Sequence, residues 1–204
     1  MEKLDLVKGR RELYFPSAKA VSEVDVPPMN FAMIDGEGDP AAVGGAYHAS
    51  LEALFAVSYT LKFAIKKAGI ADYRVMPPEG LWWTDPACGF DIDLRKRWKW
   101  TSMVMQPDLV TQARFRDAIA KVRVKKDLPS LAKLRLERYR EGPSVQILHI
   151  GPYAEERPTI ARLHKYIDEH GYKSAGKHHE IYLGNPRRTD PSRLKTVIRQ
   201  PVKR

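Results

Sequence analysis

The chain has 204 residues, of which 43% are hydrophobic, and a formal net charge of +10. It is long enough to bury a core without added cross-links, and its single cysteine cannot form an internal disulfide. These properties exclude a disulfide-built scaffold and an intrinsically disordered chain. The N-terminal residues lack the apolar core of a signal peptide, and the longest apolar run, residues 53–61, is too short to span a bilayer. We therefore expect a cytoplasmic protein without a membrane partner.

The basic residues concentrate in three segments, residues 95–99, 121–140 and 187–204. Such segments either converge into a nucleic-acid-binding surface or simply keep the surface solvated, and charge runs usually have the second explanation. The sequence contains no helix-turn-helix pattern, zinc-finger spacing or aromatic RNA-binding signature. We expect no specific nucleic-acid partner.

The first part of the chain alternates predicted strands with one helix. Residues 1–28 are polar, end in two prolines and are interpreted as an N-terminal arm or strand. The apolar run 30–35 before Gly36 predicts a strand, and apolar residues at helical spacing over residues 51–65, followed by Gly69, predict an amphipathic helix. Further strands are predicted at residues 73–76, 81–83 and 98–106.

The second part of the chain also contains predicted helices and strands. Thr111 is a suitable cap for a second helix, and Pro158 lies in the first turn of a third helix that ends at Gly171. Alternating or apolar runs predict strands at residues 133–139, 145–150, 178–183 and 195–200.

Written one below the other, two halves repeat the order strand, helix, strand, strand. The halves are residues 29–107 and 144–202 of a domain spanning 29–204, and residues 108–143 connect them. Residues 104–107 align with 198–201, residues 81–86 align with 181–186, and the strand ending at Gly36 aligns with that ending at Gly151. The duplication predicts an α+β fold with antiparallel sheets, helices on one side and a pseudo-two-fold axis. A ligand cleft is expected between the halves.

The strand at residues 178–183 carries the most informative polar side chains. Glu180 and Tyr182 share one face of this strand with His178, whereas Ile181 and Leu183 share the other. If the apolar pair faces the helices, Glu180 and Tyr182 face the cleft. A carboxylate there would bind a cationic ligand or act as a general base. The alternative is an ordinary surface glutamate that pairs with a lysine or arginine.

Aromatic residues cluster near the predicted cleft. Trp82 is the repeat counterpart of Tyr182, and Trp100 lies two strand positions from Trp98. These rings are either core residues or a stacking wall for a flat ligand. Tyr59 lies on the flank of the first helix and could serve in either place.

The remaining motifs do not indicate a cofactor. The glycines at residues 36–45 lack the lysine and hydroxyl residue of a phosphate loop, and His164 and His170 have the wrong spacing for a zinc site. Cys88 has no feature of an activated thiolate. We expect neither a cofactor nor a metal.

Six segments, spread in order over most of the chain after residue 28, resemble the gyrase-inhibitor-like (GyrI-like) small-molecule-binding family in its stand-alone form. They are MNFAMIDGEGDP (29–40), YTLKFAIKKAG (59–69), YRVMPPEGLWW (73–83), WKWTSMVMQPDLVT (98–111), HIGPYAEERPTIARLH (149–164) and HEIYLGNPRRTDPSRLKTVIRQPV (179–202). The resemblance implies the duplicated fold and an aromatic cleft with an acidic residue that receives planar or cationic drug-like molecules. In that family the carboxylate of the Glu-x-Tyr strand is the usual pocket acid, which corresponds to Glu180, with Tyr182 beside it.

The resemblance also implies a possible reaction, because some stand-alone relatives are similar to hydrolases that open the cyclopropane of DNA-alkylating natural products. Glu180 would then be the base, Tyr182 or Tyr153 would stabilise the oxygen, and Glu156, in the GPY-x-x-E stretch, is a second candidate acid. The expected ligand contacts are Trp82, Tyr59, Trp100, Tyr153 and Met33.

Three functions remain open on the sequence alone. The chain either hydrolyses reactive cyclopropanoid xenobiotics, or sequesters drug-like molecules without turnover, or acts as a gyrase-inhibitor-like protein-interaction module. No DNA-binding module precedes residue 29, which disfavours a transcription factor. We expect a monomer or a homodimer.

Overall fold

A computed structural model of the chain describes residues 1–84 and 97–204. Cys88 and part of the basic segment 95–99 lie outside these residues. The helices are α1 (Arg11–Tyr14), α2 (Ala46–Lys67), α3 (Gln112–Lys125) and α4 (Arg157–Glu169). The strands are β1 (Glu2–Leu4), β2 (Ser22–Val26), β3 (Met29–Glu37), β4 (Ala71–Tyr73), β5 (Pro78–Trp83), β6 (Lys99–Gln106), β7 (Arg135–Tyr139), β8 (Gly142–Ile150), β9 (Lys173–Ser174), β10 (His178–Tyr182) and β11 (Lys195–Lys203).

Most of the described strands form one antiparallel sheet in the order β2-β8-β11-β10-β5-β6-β3-β7, with β9 paired to β11. Strands β1 and β4 form a separate parallel pair. The order within one half, β5-β6-β3, is repeated in the other half as β10-β11-β8. Because β5 and β10 pair antiparallel at the centre, the pseudo-two-fold axis runs through these two strands. The α+β duplication is confirmed, with one continuous sheet across both halves.

The two halves differ in register at one place. Strands β3 and β6 pair as β8 and β11 do, so that Ala32 opposite Val104 corresponds to Ile147 opposite Ile198. By contrast, Trp82 lies opposite Trp100, whereas Tyr182 lies opposite Thr196, two residues from the position that the repeat alignment predicts. A shift of two residues preserves the alternation of faces, so it leaves the same side chains on each face of the sheet.

Both long helices of the repeat lie on the same face of the sheet. Residues directly opposite each other in antiparallel strands share a face, and one such row crosses the sheet through Ile147, Ile198, Glu180, Gly80, Ser102 and Ile34. Helix α2 contacts this row through a 2.7 Å hydrogen bond between Ser50 and Ser102. Helix α4 packs its apolar residues against Ile147 and Ile198. Glu180 therefore lies on the helix face, over the junction of the halves.

This arrangement corrects one expectation about β10. Ile181 does not face α2 and α4; it is fully buried on the opposite face of the sheet. The physical reason is that the N-terminal arm covers that face, with Leu13 and Tyr14 each only 1% exposed. Strand β2 of the arm also pairs with β8. The arm thus supplies the apolar cover that the helices were expected to supply.

A buried network of charges lies under the arm on this second face. His179 Nε2 lies 3.0 Å from Glu79 Oε2, and His179 Nδ1 lies 3.0 Å from a carboxylate oxygen of Glu141. Arg199 donates to the same Glu141 carboxylate over 3.0 Å. The Tyr14 hydroxyl of the arm donates to Glu79 Oε1 over 3.1 Å. All four charged side chains are at most 2% exposed, and their charges balance when His179 is protonated.

The connecting segment, residues 108–143, supplies helix α3 and the strand at one edge of the sheet. Helix α3 begins after Thr111, whose hydroxyl accepts a hydrogen bond from the Arg114 amide at 3.3 Å. Its buried residues Phe115, Ala118 and Val122 belong to the main core, and β7 then pairs with β3. Among the described residues, no helix is long and apolar enough to cross a membrane.

Candidate functional site

Glu180 is the polar centre of the helix-side junction. Glu180 is 7% exposed. Both of its carboxylate oxygens have partners. The Tyr182 hydroxyl donates to Oε2 over 2.7 Å, and His178 Nε2 lies 3.1 Å from Oε1. No lysine or arginine is among these partners, and the near-complete burial excludes the alternative of an ordinary surface glutamate. The carboxylate is held in one orientation by two neighbours on its own strand.

Three tyrosines surround this carboxylate. Burial, followed by the charge of Glu180, raises the pKa of Tyr182 well above its usual value. Burial and then Glu156 raise the pKa of Tyr153 to about 12, and burial raises the pKa of Tyr47 further. The rings of Tyr153 and Tyr182 meet edge to face with centroids 5.5 Å apart. All three phenols therefore stay protonated at neutral pH and can act as hydrogen-bond donors.

Glu156 is a second carboxylate near the same tyrosines. It lies at the N-terminal end of α4 and is 4% exposed. Its backbone amide donates to the Tyr153 carbonyl over 3.3 Å, and its charge contributes to raising the pKa of both Tyr153 and Tyr182. A second nearly buried acid therefore accompanies Glu180 at the N-terminal end of α4.

An aromatic wall lies beside Glu180, and its tryptophans are core residues, since Trp82 and Trp100 belong to the main core and are only 2% and 1% exposed. The Tyr47 ring lies 5.0 Å from Trp82 and 5.1 Å from Trp100, centroid to centroid, and Trp82 lies 5.3 Å from Trp98. A Cβ at Gly80 would lie 2.7 Å from Trp82 Nε1, so a glycine is needed for the indole to lie against the strand. The indole N–H groups of Trp82 and Trp100 are buried and make no hydrogen bond to any residue in the described ranges.

The structure brings together six of the residues selected from the sequence: Glu180, Tyr182, Glu156, Tyr153, Trp82 and Trp100. Two others lie elsewhere. Met33 is opposite Met103, one position out of step with Ile34 and Ser102, and therefore faces away from the helices. Tyr59 is 47% exposed and stacks on Phe55 and Phe63. It lies twelve residues beyond Tyr47 on α2, which is about 18 Å along the helix axis.

Sequence reasoning missed two residues of this site, Tyr47 and His178. Tyr47 lies four positions before Leu51, so it continues the apolar stripe of α2 by one turn, and that spacing could have identified it. The alternation already placed His178 on the strand face of Glu180, but His178 was not selected as a site residue. Within residues 1–84 and 97–204, no group of three histidine, cysteine or acidic side chains could hold a metal ion.

Comparisons with known proteins agree with the fold. The model of the GyrI-like small molecule binding domain family matches residues 19–203. A crystal structure of an uncharacterized conserved protein from Listeria innocua is similar at 36% identity and TM-score 0.89, covering 100% of both chains. Two further structures from the same species, both of hydrolases, have TM-scores of 0.83 and 0.86. The first is 35% identical over 100% of both chains; the second is 36% identical over 99% of this chain and 100% of that one. No curated protein matches the chain.

Proposed function

Because this chain belongs to the GyrI-like small-molecule-binding family, we propose that it binds planar drug-like molecules at the Glu180 junction and hydrolyses reactive cyclopropanoids among them. The observation that carries the proposal is the Glu180 carboxylate, nearly buried and oriented by Tyr182 and His178 beside an aromatic wall. The two Listeria innocua hydrolases, at 35% and 36% identity, support an enzymatic role.

The substrate class is the one that the family resemblance implies, and the chemistry of the site supports it. A cyclopropane conjugated to a dienone is flat, apolar and electrophilic, and an indole wall can orient such a ring system. The protonated phenol of Tyr153 offers a donor to its carbonyl oxygen. The site thus contains an apolar surface, a base and protonated donors close together.

The reaction balances with water as the only co-reactant. Glu180 takes a proton from a water molecule as the water oxygen bonds to a cyclopropane carbon. The ring C–C bond breaks, and its electron pair passes through the dienone to the carbonyl oxygen, which becomes a phenolate. The proton that Glu180 took from the water is then released and protonates this oxygen, which regenerates the carboxylate. Tyr153, kept protonated by burial and by Glu156, donates a hydrogen bond to this oxygen as its charge grows. The product is the alcohol formed by net addition of water.

Tyr182 has a different task from Tyr153. Its hydroxyl already donates to Glu180 Oε2, so it fixes the direction of the base. A carboxylate with both oxygens held has little freedom to turn toward other donors, and such positioning favours a near-attack geometry. His178 secures the other oxygen in the same way.

A second function has its own supporting observation, namely the presence of two nearly buried acids beside four aromatic rings. Glu180 and Glu156 are two carboxylates that attract a planar organic cation, and the ring faces attract the same cation. The chain would then sequester cationic molecules without turnover.

One variant separates these two functions. Glu180→Gln keeps the shape and removes the base, so a hydrolase should lose turnover of a cyclopropanoid alkylator by about 10²-fold or more, measured as hydrolysed product by mass spectrometry. Glu169→Gln, an exposed acid on α4, is the matched control and should retain the wild-type rate.

The alternative gives a different pattern. In a pure binding protein the wild type produces no hydrolysed product, and Glu180→Gln weakens binding of a fluorescent planar cation such as ethidium by about tenfold or more, a loss of roughly 1–3 kcal/mol. If Glu180→Gln retains the full wild-type hydrolysis rate, the assignment of Glu180 as the base is wrong.

A further inference from the structure

A groove of about 460 Å³ lies at the end of the sheet where β8 and β10 finish and β11 begins. Its lining residues are Ile150, Arg188, Thr189, Asp190, Ser192, Arg193 and Lys195. The loop between β10 and β11 forms its outer wall. This groove plays no part in the hydrolysis proposed above.

The loop that carries the basic residues is anchored. The Asn185 carbonyl accepts hydrogen bonds from the amides of Arg188 and Thr189, at 3.0 and 2.9 Å. Leu194 is 4% exposed, and its carbonyl accepts a hydrogen bond from the Gly151 amide at 3.0 Å. The loop is therefore fixed to the strand end on which Ile150 forms the floor of the groove.

The charges of the groove do not neutralise one another. Three cations line it, Arg188, Arg193 and Lys195, and none forms an ion pair with any residue in the described part of the chain. The single acid, Asp190, is already used locally, because its Oδ1 accepts hydrogen bonds from the Ser192 amide and hydroxyl, at 2.9 and 2.6 Å. The lining charge is three minus one, or +2. Three cations facing one concave space favour an anion with several oxygens.

The groove is separate from the Glu180 junction. Lys195 lies opposite Ile150, while the next residue, Thr196, lies opposite Tyr182. Since neighbouring residues on a strand point to opposite faces, Lys195 is directed away from the face that carries Glu180. A molecule in the groove leaves the junction accessible, so the two sites can be occupied together.

We propose that this groove is a second binding site, for a small molecule that carries an oligophosphate group. The volume lies in the range of small-molecule sites, and arginine guanidinium groups match phosphate oxygens in a two-pronged hydrogen-bonding geometry. The exposed side chain of Ile150, half accessible at the floor, offers an apolar contact to the organic part of such a molecule.

The test is calorimetric titration of the full-length chain with sodium tripolyphosphate at a fixed salt concentration. The wild type should show saturable binding at one site. Arg188→Ala combined with Arg193→Ala should weaken it by about tenfold or more. The matched control, Arg116→Ala combined with Arg138→Ala, removes two arginines from exposed positions of α3 and β7 that do not line the groove, and it should change the affinity by no more than about twofold.

A second titration, with a DNA duplex, distinguishes binding of free phosphates from binding of a nucleic-acid backbone. The affinity for a short DNA duplex should fall no more in the variant with Arg188→Ala and Arg193→Ala than in the control double variant. The proposal is overturned by absence of saturable tripolyphosphate binding, by equal losses in both double variants, or by duplex binding that needs the groove arginines and resists tripolyphosphate. Hydrolysis of a cyclopropanoid is measured separately and is independent of each of these outcomes.

Discussion

The hydrogen bond between Tyr182 and Glu180 shows how two residues of one strand can prepare a reactive group. Their side chains point the same way because they are two positions apart, and the 2.7 Å contact fixes one oxygen of the carboxylate. The phenol cannot compete as an acid, since burial and Glu180 raise its pKa. In the proposed reaction its contribution is to orient Glu180, the neighbouring base.

Tyr182→Phe removes this contact and keeps the ring that packs against Tyr153. We expect the rate of cyclopropanoid hydrolysis to fall by about tenfold or more, because the base loses one of its two positioning partners. Ligand affinity should change less. The matched control is Tyr172→Phe, which removes an exposed tyrosine–glutamate hydrogen bond of 3.0 Å at Glu23 and should leave the rate unchanged. Equal rates in wild type and Tyr182→Phe would exclude the positioning role.

The residues of this site were only partly predictable. Alternation along one strand is enough to pair Glu180 with Tyr182, because no other element enters the argument. Met33 was misplaced because the face of a buried strand depends on what covers each side, and strand β3 is apolar on both. Tyr59 was ambiguous for a related reason: its position on the flank of α2 fits the cleft and the solvent equally well.

At the scale of elements, β10 serves both faces of the sheet. Its even-numbered residues face the helices and form the candidate site, while His179 joins the charge network under the N-terminal arm. Burial alone would lower the pKa of His179, but Glu141 and Glu79 outweigh it and raise this pKa to about 9. The same contacts, with Arg199, lower the pKa of Glu141 to about 2 despite its burial.

These shifts predict how stability changes with pH. A histidine that titrates near 6.5 when unfolded and at about 9 when folded contributes its full stabilisation below the unfolded value and loses it as the pH rises through the folded one. Denaturant unfolding should therefore show a free energy of unfolding that falls between about pH 6.5 and pH 9. For Glu141 the sign is opposite, with loss as the pH falls from about 4.5 toward 2.

His179→Gln is the control for this effect. It removes the titrating group, so the variant should be less stable at neutral pH, because Glu79 and Glu141 lose their shared cation. Its stability should also be nearly independent of pH over the alkaline window. A wild type with the same alkaline profile as His179→Gln would contradict the assignment of a charged His179.

The sequence predicted the helices and strands better than the side-chain contacts between them. The apolar stripe of α2 and its glycine stop at Gly69, where φ is +70°, determine the helix locally. The contacts of His179 could not be anticipated, since they join residues 79, 141 and 199 across three different strand connections.

At the scale of the whole molecule, the duplication explains the order of the strands in the sheet. The repeat of strand, helix, strand, strand was readable because each half carries its own turn residues, and the sheet order follows it. The continuity of the sheet was not readable, because it depends on pairing between β5 and β10, which are 100 residues apart at Gly80 and Glu180.

The net charge of +10 predicts weak, non-specific binding to DNA. Such binding rests on the release of counterions, so the apparent affinity for a DNA duplex, measured by fluorescence anisotropy, should fall by about tenfold or more between 50 and 200 mM salt. Duplexes of unrelated sequence should bind equally. Sequence-selective binding that persists at physiological salt would contradict the assignment of the chain as a small-molecule protein.

The double use of β10 limits which length changes this chain could tolerate during evolution. One residue inserted or deleted in the turn before His178 would exchange the two faces, placing His179 and Ile181 among the aromatic rings and Glu180 under the arm. A change of two residues would keep every side chain on its own face, and the two halves of the sheet already differ by two residues in register. Length variation at this turn among homologues should therefore occur in even steps.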